Sequence, residues 1–277
     1  MEKYRDHIGF GIAGNFALHL EQAGEMEDFK DVVTEDENGP KGMFPFYLPG
    51  REGQLGEFPL CDNTIILPEG DVNVQAEPEV GLICDLSYDD EGNVSAITPT
   101  HFAAYNDCSI RKEGAKKISE KKNWGASSKG LSNQVIAIDK FEEGGIMDHW
   151  RICSFLRREG TVMRYGEDVE LTGYSYFYSK LCDWMKNQIN TQKDQGPLEP
   201  LLEYIKECGY PKQAIISIGA TRYTPYGETH FLKEGDEVII ALYDSNIHCK
   251  NPIMSDVVAE NYDKEGVSYL VKKVVSA

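Results

Sequence analysis

Glu77-Pro78-Glu79-Val80-Gly81-Leu82-Ile83-Cys84 is an apolar run of strand length headed by two acids, and Val94-Ser95-Ala96-Ile97-Thr98 follows it closely. Asp89-Asp90-Glu91-Gly92-Asn93 between them is turn chemistry, so the two runs read as paired strands. Moving outward, Thr64–Leu67 precedes them as a strand, His101–Ser109 can alternate, Gln134–Asp139 is β-rich and Gly160–Leu171 reads as a hairpin. Phe177, Leu181, Trp184 and Met185 recur at helical spacing. Leu198, Leu201, Leu202, Ile205 and Cys208 do so again, and Gly209 and Pro211 stop that helix. Ala214–Gly219, Glu237–Tyr243 and Val267–Val275 return to strand character. Strands outnumber helices and do not alternate with them, which predicts an α+β, β-rich mixed-sheet fold. One domain over residues 1–277 is expected, with residues 1–60 as an N-terminal helix and lid-like segment.

Within that segment Asn15 can cap a helix carrying Phe16, Leu20 and Ala23 on one face, and Gly24 can end it. Residues 25–38 are acidic and read as solvated surface. The Gly/Pro-rich stretch Gly39–Pro59 holds Phe44-Pro45-Phe46-Tyr47 and is long for a plain connection, so it is expected to fold over a site. Gly9-Phe10-Gly11-Ile12-Ala13-Gly14 spells G-x-G-x-x-G, but no strand is evident before it and no βαβ unit after it. It reads instead as a flexible glycine turn.

Twenty-eight Lys and Arg against 46 Asp and Glu give a net charge of −18, which argues against nucleic-acid or anionic-membrane surfaces. No window is apolar enough to span a bilayer, and the charged amino terminus lacks a signal-like core, so a cytoplasmic chain is expected. Seven cysteines, an odd number with wide spacing and no C-x-x-C, read as small buried hydrophobes.

Glu77 and Glu79 are two apart, so an extended chain points both carboxylates to one side. Like charges converge only around a cation. Asn106-Asp107-Cys108-Ser109-Ile110-Arg111 adds a third acid, Asp107, in an apolar setting. Three carboxylates without thiol or imidazole describe a hard-oxygen site for one Mg²⁺ or Mn²⁺.

These residues resemble the fumarylacetoacetate hydrolase family. Its E-x-E pair and later N-D are similar to Glu77-x-Glu79 and Asn106-Asp107-x-Ser109-x-Arg111, followed by Lys129-Gly130. Gly14-Asn15-Phe16-x-x-His19, Met43–Leu48, Ser175–Met185, Leu232–Val238 and Asn251-Pro252 resemble further segments of the family in the same order. The resemblance implies the fold of that family's C-terminal domain, a homodimer and a small anionic substrate, either a 2-oxo or a 1,3-dicarbonyl carboxylic acid. It implies Glu77, Glu79 and Asp107 as metal ligands, His19 as general base and Lys129 as support for enolate charge. Arg111, Thr221 and Arg222 are the expected substrate-binding residues.

The chain also departs from the pattern. Gln22 stands where the family's hydrolases carry the glutamate partner of the histidine. On a helix His19 and Gln22 can meet, but an amide cannot take a proton at neutral pH. Ile218-Gly219-Ala220-Thr221-Arg222 replaces T-G-T-P-x-G, with Thr221 displaced by one, and Lys112 replaces an aspartate. Three functions stay open: a metal-dependent hydrolase or lyase of C–C bonds, a tautomerase or decarboxylase needing no activated water, and a non-catalytic metabolite-binding member.

Overall fold

The computed structural model describes residues 1–30, 32, 36, 38–112 and 114–277. After a short 3-10 turn (Glu2–Tyr4), a strand stands where a glycine turn was expected: β1 (Ile8–Ala13) is buried along its length. A single-turn helix, α1 (His19–Gln22), follows, entered through Leu18 in the left-handed region. The aromatic run then forms β2 (Gly42–Tyr47), antiparallel to β1 and fully buried. Side chains on Gly9 and Gly11 would collide with the rings of Phe46 and Phe44. The repeated glycines of β1 therefore make room for two rings of the neighbouring strand. Phe44–Tyr47, expected as part of a loop, is thus a buried strand. The acidic stretch 25–38 lies partly outside the described residues.

Strands β3 (Thr64–Ile66) and β4 (Asn73–Gln75) lead to the long hairpin of β5 (Pro78–Tyr88) and β6 (Val94–Asn106). Its turn is fixed by Asp89, whose Oδ1 accepts from the Glu91 and Asn93 amides, both at 2.9 Å. Short strands β7 (Ser109–Arg111), β8 (Gly130–Leu131) and β9 (Ile136–Ala137) follow, then the expected hairpin β10 (Trp150–Arg158) and β11 (Thr161–Glu170). Helix α2 (Tyr178–Thr191) buries Leu181, Met185 and Ile189, and α3 (Leu201–Glu207) buries Leu201 and Ile205; of these Leu181, Met185, Leu201 and Ile205 are the periodic positions. The remainder is β12 (Gln213–Ser217), α4 (Pro225–Thr229), β13 (Glu237–Asp244), α5 (Lys250–Val258) and β14 (Val267–Val275).

One sheet has the order β2-β1-β12-β5-β6-β8, with β9 also on β6, and a second has β11-β10-β13-β14-β3. The β1–β12 and β3–β14 pairs are parallel and sit among antiparallel neighbours, so both sheets are mixed. One hydrophobic core takes Leu82 and Phe102 from the first sheet and Ile152, Ile240 and Leu270 from the second. Phe102 meets Trp150 edge to face at 4.8 Å between centroids, one of the contacts that joins the layers. The strand-rich α+β class read from the sequence is the observed one. Among the described residues no helix is long and apolar enough to cross a membrane.

Glu199, between α2 and α3, is buried. Its Oε1 accepts from Ser119 Oγ at 3.0 Å and its Oε2 has no hydrogen-bond partner among the described residues. Burial pushes its carboxyl up to about 7. A carboxyl raised on folding gives full stability below its unfolded value and loses it as pH rises through about 7. Glu199→Gln is therefore expected to stabilise the protein by roughly 2–3 kcal/mol at pH 8 and by little at pH 5. Urea unfolding at the two pH values measures this, and equal effects at both would contradict it.

Candidate active site

Strand pairing assembles the acids. In the β5–β6 ladder Pro78 lies opposite Asn106 and Glu79 opposite Tyr105, so Glu77, Glu79 and Asp107 share one end of the hairpin. The Asp107 amide donates to the Glu77 carbonyl at 3.0 Å, and the Glu77 amide donates to Asn106 Oδ1 at 3.1 Å. One oxygen from each of the three carboxylates lies within 4.8 Å of the others, and all three side chains are buried.

Each acid has a different surrounding. Burial alone would raise the Glu77 carboxyl, but the Lys122 and Arg111 charges hold it well below the usual range. Arg111 Nη2 donates to Glu77 Oε1 at 2.6 Å, and Lys122 Nζ lies 2.6 Å from Glu77 Oε2. Burial, then the Asp107 and Glu77 charges, push the Glu79 carboxyl well above the usual range. The Gly219 amide donates to Glu79 Oε2 at 2.9 Å. That approach needs glycine: Gly219 has φ +110°, and a Cβ there would stand 3.0 Å from Asn15 Cβ. Asp107 contacts Lys122 Nζ at 2.7 Å and Lys129 Nζ at 3.3 Å as ion pairs. Neither Asp107 oxygen accepts a well-directed hydrogen bond from any described residue.

The cations form a wall. Arg111 spends its fork on four partners: Gln75 Oε1 at 2.8 Å, Glu25 Oε1 at 2.7 Å, Glu77, and the Tyr223 hydroxyl at 3.0 Å. Lys129 is fully buried, donates to the Cys108 carbonyl and lies over the Trp124 ring, and burial lowers its ammonium. Lys121 Nζ is 3.3 Å from Glu25 Oε1. Arg111, Lys112 and Lys121, together with the acids Glu25 and Glu27, line a surface basin of about 470 Å³, so Arg111 borders a space open to a small anion.

His19 reaches the cluster. It is buried, with Nε2 3.9 Å from Glu77 Oε1 and its ring 5.2 Å from the Tyr223 ring. Its Nδ1 has no hydrogen-bond partner among the described residues. The anticipated His19–Gln22 contact is not made. Gln22 Nε2 donates to the Tyr223 carbonyl at 3.1 Å, and the Tyr223 amide donates back to Gln22 Oε1 at 2.9 Å. Glutamine is needed there because one end must donate and the other accept. Gln22→Glu is expected to lose the donated bond and destabilise the protein by about 1–3 kcal/mol. Thermal melts check this, and an unchanged or raised melting temperature would contradict it.

Thr221 is buried and holds the strand bearing the acids, its amide and hydroxyl both donating to the Pro78 carbonyl at 3.1 and 3.3 Å. Arg222 pairs with Glu167 at 2.7 Å and lies over the Phe16 ring, so its guanidinium is committed outside the acid cluster. Sequence reasoning missed Glu25, Gln75, Lys122 and Tyr223. The Lys121-Lys122 pair carried a weak signal, being cationic residues between Arg111 and Lys129 in an acidic chain.

The donor set fits a divalent ion of the Mg²⁺ or Mn²⁺ type. It offers three hard oxygen ligands and two Asp107 oxygens without directed partners.

The mixed-sheet scaffold is a fold shared with fumarylacetoacetate hydrolase family structures. Yeast ynq8, a protein of that family, is 16% identical over 98% of this chain and 94% of its own, with a TM-score of 0.54. A 2-keto-3-deoxy-D-arabinonate dehydratase in its apo form is 14% identical, with coverages of 98% and 73% and a TM-score of 0.50. A maleylpyruvate hydrolase from Sphingobium is 11% identical, with coverages of 98% and 71% and a TM-score of 0.50. At these identities the likeness is one of fold. By sequence the chain belongs to a family of unknown function (DUF5718), whose model matches residues 25–274. No curated protein matches the sequence.

Proposed function

We propose that this protein is a divalent-metal-dependent enzyme acting on a small 2-oxo or 1,3-dicarbonyl carboxylic acid through its enolate, and that it works as a homodimer. The observation that carries the proposal is the buried convergence of Glu77, Glu79 and Asp107 beside Arg111, Lys129 and His19. Glu77, Glu79 and Asp107 would hold Mg²⁺ or Mn²⁺, which supplies Lewis-acid stabilisation of an enolate oxygen when bound.

The chain's own residues supply the rest. Arg111 presents a planar fork toward the basin, where Glu25 now takes one of its donors. A substrate carboxylate would replace Glu25 on that fork, a geometry that a guanidinium favours. Lys129, whose Nζ lies 3.3 Å from Asp107 Oδ1, would lend positive charge beside the forming enolate. His19 would take the proton α to the carbonyl, since its Nδ1 is uncommitted.

Gln22 favours the reading without water activation. Both of its polar atoms are committed to the Tyr223 backbone, so Gln22 does not orient His19 toward water, and the acid beside the ring, Glu77 at 3.9 Å, is assigned to the metal. Tautomerisation or decarboxylation is therefore expected to exceed hydrolysis. Incubating native protein and excess Mg²⁺ with acetylpyruvate and with oxaloacetate, then analysing products by NMR, tests this. Enolisation or pyruvate release without acetate supports the reading. Brisk acetate formation restores the hydrolase, and no turnover of either acid supports a binding member of the fold.

A further inference from the structure

Lys122 sits where the cation of the carboxylate site would sit. It follows a short 3-10 turn, Ile118–Lys121, which carries it inward until only 4% of the residue is exposed. Its ammonium has three N–H donors and three oxygens around it: Glu77 Oε2 at 2.6 Å, Asp107 Oδ2 at 2.7 Å and Ser109 Oγ at 2.6 Å. The Phe44 ring closes another side, 5.1 Å from Nζ. Ser109 is held for this purpose, donating its own hydroxyl proton to the Asp107 carbonyl at 3.0 Å and leaving its lone pairs to the ammonium.

Two of those oxygens belong to carboxylates of the converging triad. A small divalent ion needs oxygen contacts of about 2.1 Å. An ion in contact with Glu77 and Asp107 would lie within a few ångströms of Nζ, with like charges facing each other in a buried space. The surrounding charge points the same way. Glu25, Glu77 and Asp107 already pair with Arg111, Lys121, Lys122 and Lys129. With Lys122 in place, Glu77 and Asp107 each already contact an ammonium that an entering dication would have to displace.

We infer that Lys122 and the divalent ion compete for one seat, so that metal enters only as the Lys122 ammonium swings out and the resting protein carries its own cation there. Lys122 thereby sets the metal affinity of the site. The inference rests on the triad being the cation site of the proposed function, but it makes no claim about turnover.

Mn²⁺ binding to metal-stripped protein, followed by electron paramagnetic resonance at pH 7.5, separates the two. Native protein is expected to bind Mn²⁺ at least ~10-fold more weakly than Lys122→Met, with Lys122→Gln in the same direction. Adding Asp107→Asn to Lys122→Met should abolish the gain. Melting curves guard against misfolding. One millimolar Mn²⁺ should raise the melting temperature of Lys122→Met by several degrees and leave native protein nearly unmoved. If native protein and both Lys122 variants bind Mn²⁺ equally, the competition is refuted while the triad stands as a metal site. If none binds Mn²⁺ at millimolar concentration, both the competition and the metal reading fall.

Discussion

Arg111→Ala is expected to destabilise the protein by about 3 kcal/mol or more at pH 7.5, the largest effect of any single substitution in the cluster. The side chain is nearly buried and makes four hydrogen bonds, two of them to the buried acids Glu77 and Glu25. Its loss leaves Glu25 with Lys121 and strands one oxygen of Glu77, while the Tyr223 hydroxyl and the Gln75 amide lose a partner. The pH dependence follows from the acids. Burial opposes ionisation of Glu77 and Glu25, yet their cationic neighbours, Lys122 and Arg111 for Glu77 and Arg111 and Lys122 for Glu25, keep both below the usual range. A carboxyl lowered on folding contributes stability above its unfolded value and loses it as pH falls through the folded value. The gap between native and Arg111→Ala should therefore be widest near neutrality and shrink below about pH 4.5. Arg111→Lys should recover little, because a single ammonium cannot serve four partners. Urea unfolding across pH measures all three. A gap below about 1 kcal/mol at neutral pH would mean that the guanidinium is a solvated pair and not the keystone of the cluster.

The second large effect concerns chemistry. His19→Gln is expected to slow enolisation of a 2-oxo acid by ~100-fold or more, the usual worth of a positioned base. Stability should barely change, because His19 Nδ1 has no hydrogen-bond partner among the described residues to lose and Nε2 is 3.9 Å from Glu77. A structural histidine would give the reverse pattern, a lower melting temperature with turnover preserved. Substrate affinity should hold, since carboxylate binding is assigned to Arg111. A rise in KM with constant kcat would transfer His19 from catalysis to binding.

Much of this site could be read from local pattern. Glu77 and Glu79 have period-two spacing at the head of a strand, and Asp107 immediately follows the strand that pairs with it, so three acids meet through one hairpin. Periodicity likewise located α2, α3 and β14. The failures share a different cause. Phe44–Tyr47 looked like a loop because Pro45 and the surrounding glycines are punctuation in one dimension. Only the pairing with β1 shows that the glycines opposite give those rings their room. Helix spacing brings i and i+3 together, which predicts a His19–Gln22 contact. Helix α1 is a single turn, and the Tyr223 backbone, 201 residues away, claims the amide instead. Lys122 carried almost no signal, because a lysine in a charged turn is ordinarily solvated. Its burial depends on Glu77, Asp107 and Ser109 arriving from two other segments.

The central claim is that this buried cluster makes an enolate, and proton exchange reports that step without requiring any bond to break. Acetylpyruvate in D₂O with native protein and excess Mg²⁺, followed by proton NMR, should lose its methylene signal faster than with buffer and Mg²⁺ alone. Asp107→Asn and His19→Gln should return the rate to that background. A methylene signal that decays at the buffer rate with native protein, for acetylpyruvate and oxaloacetate alike, would contradict the account.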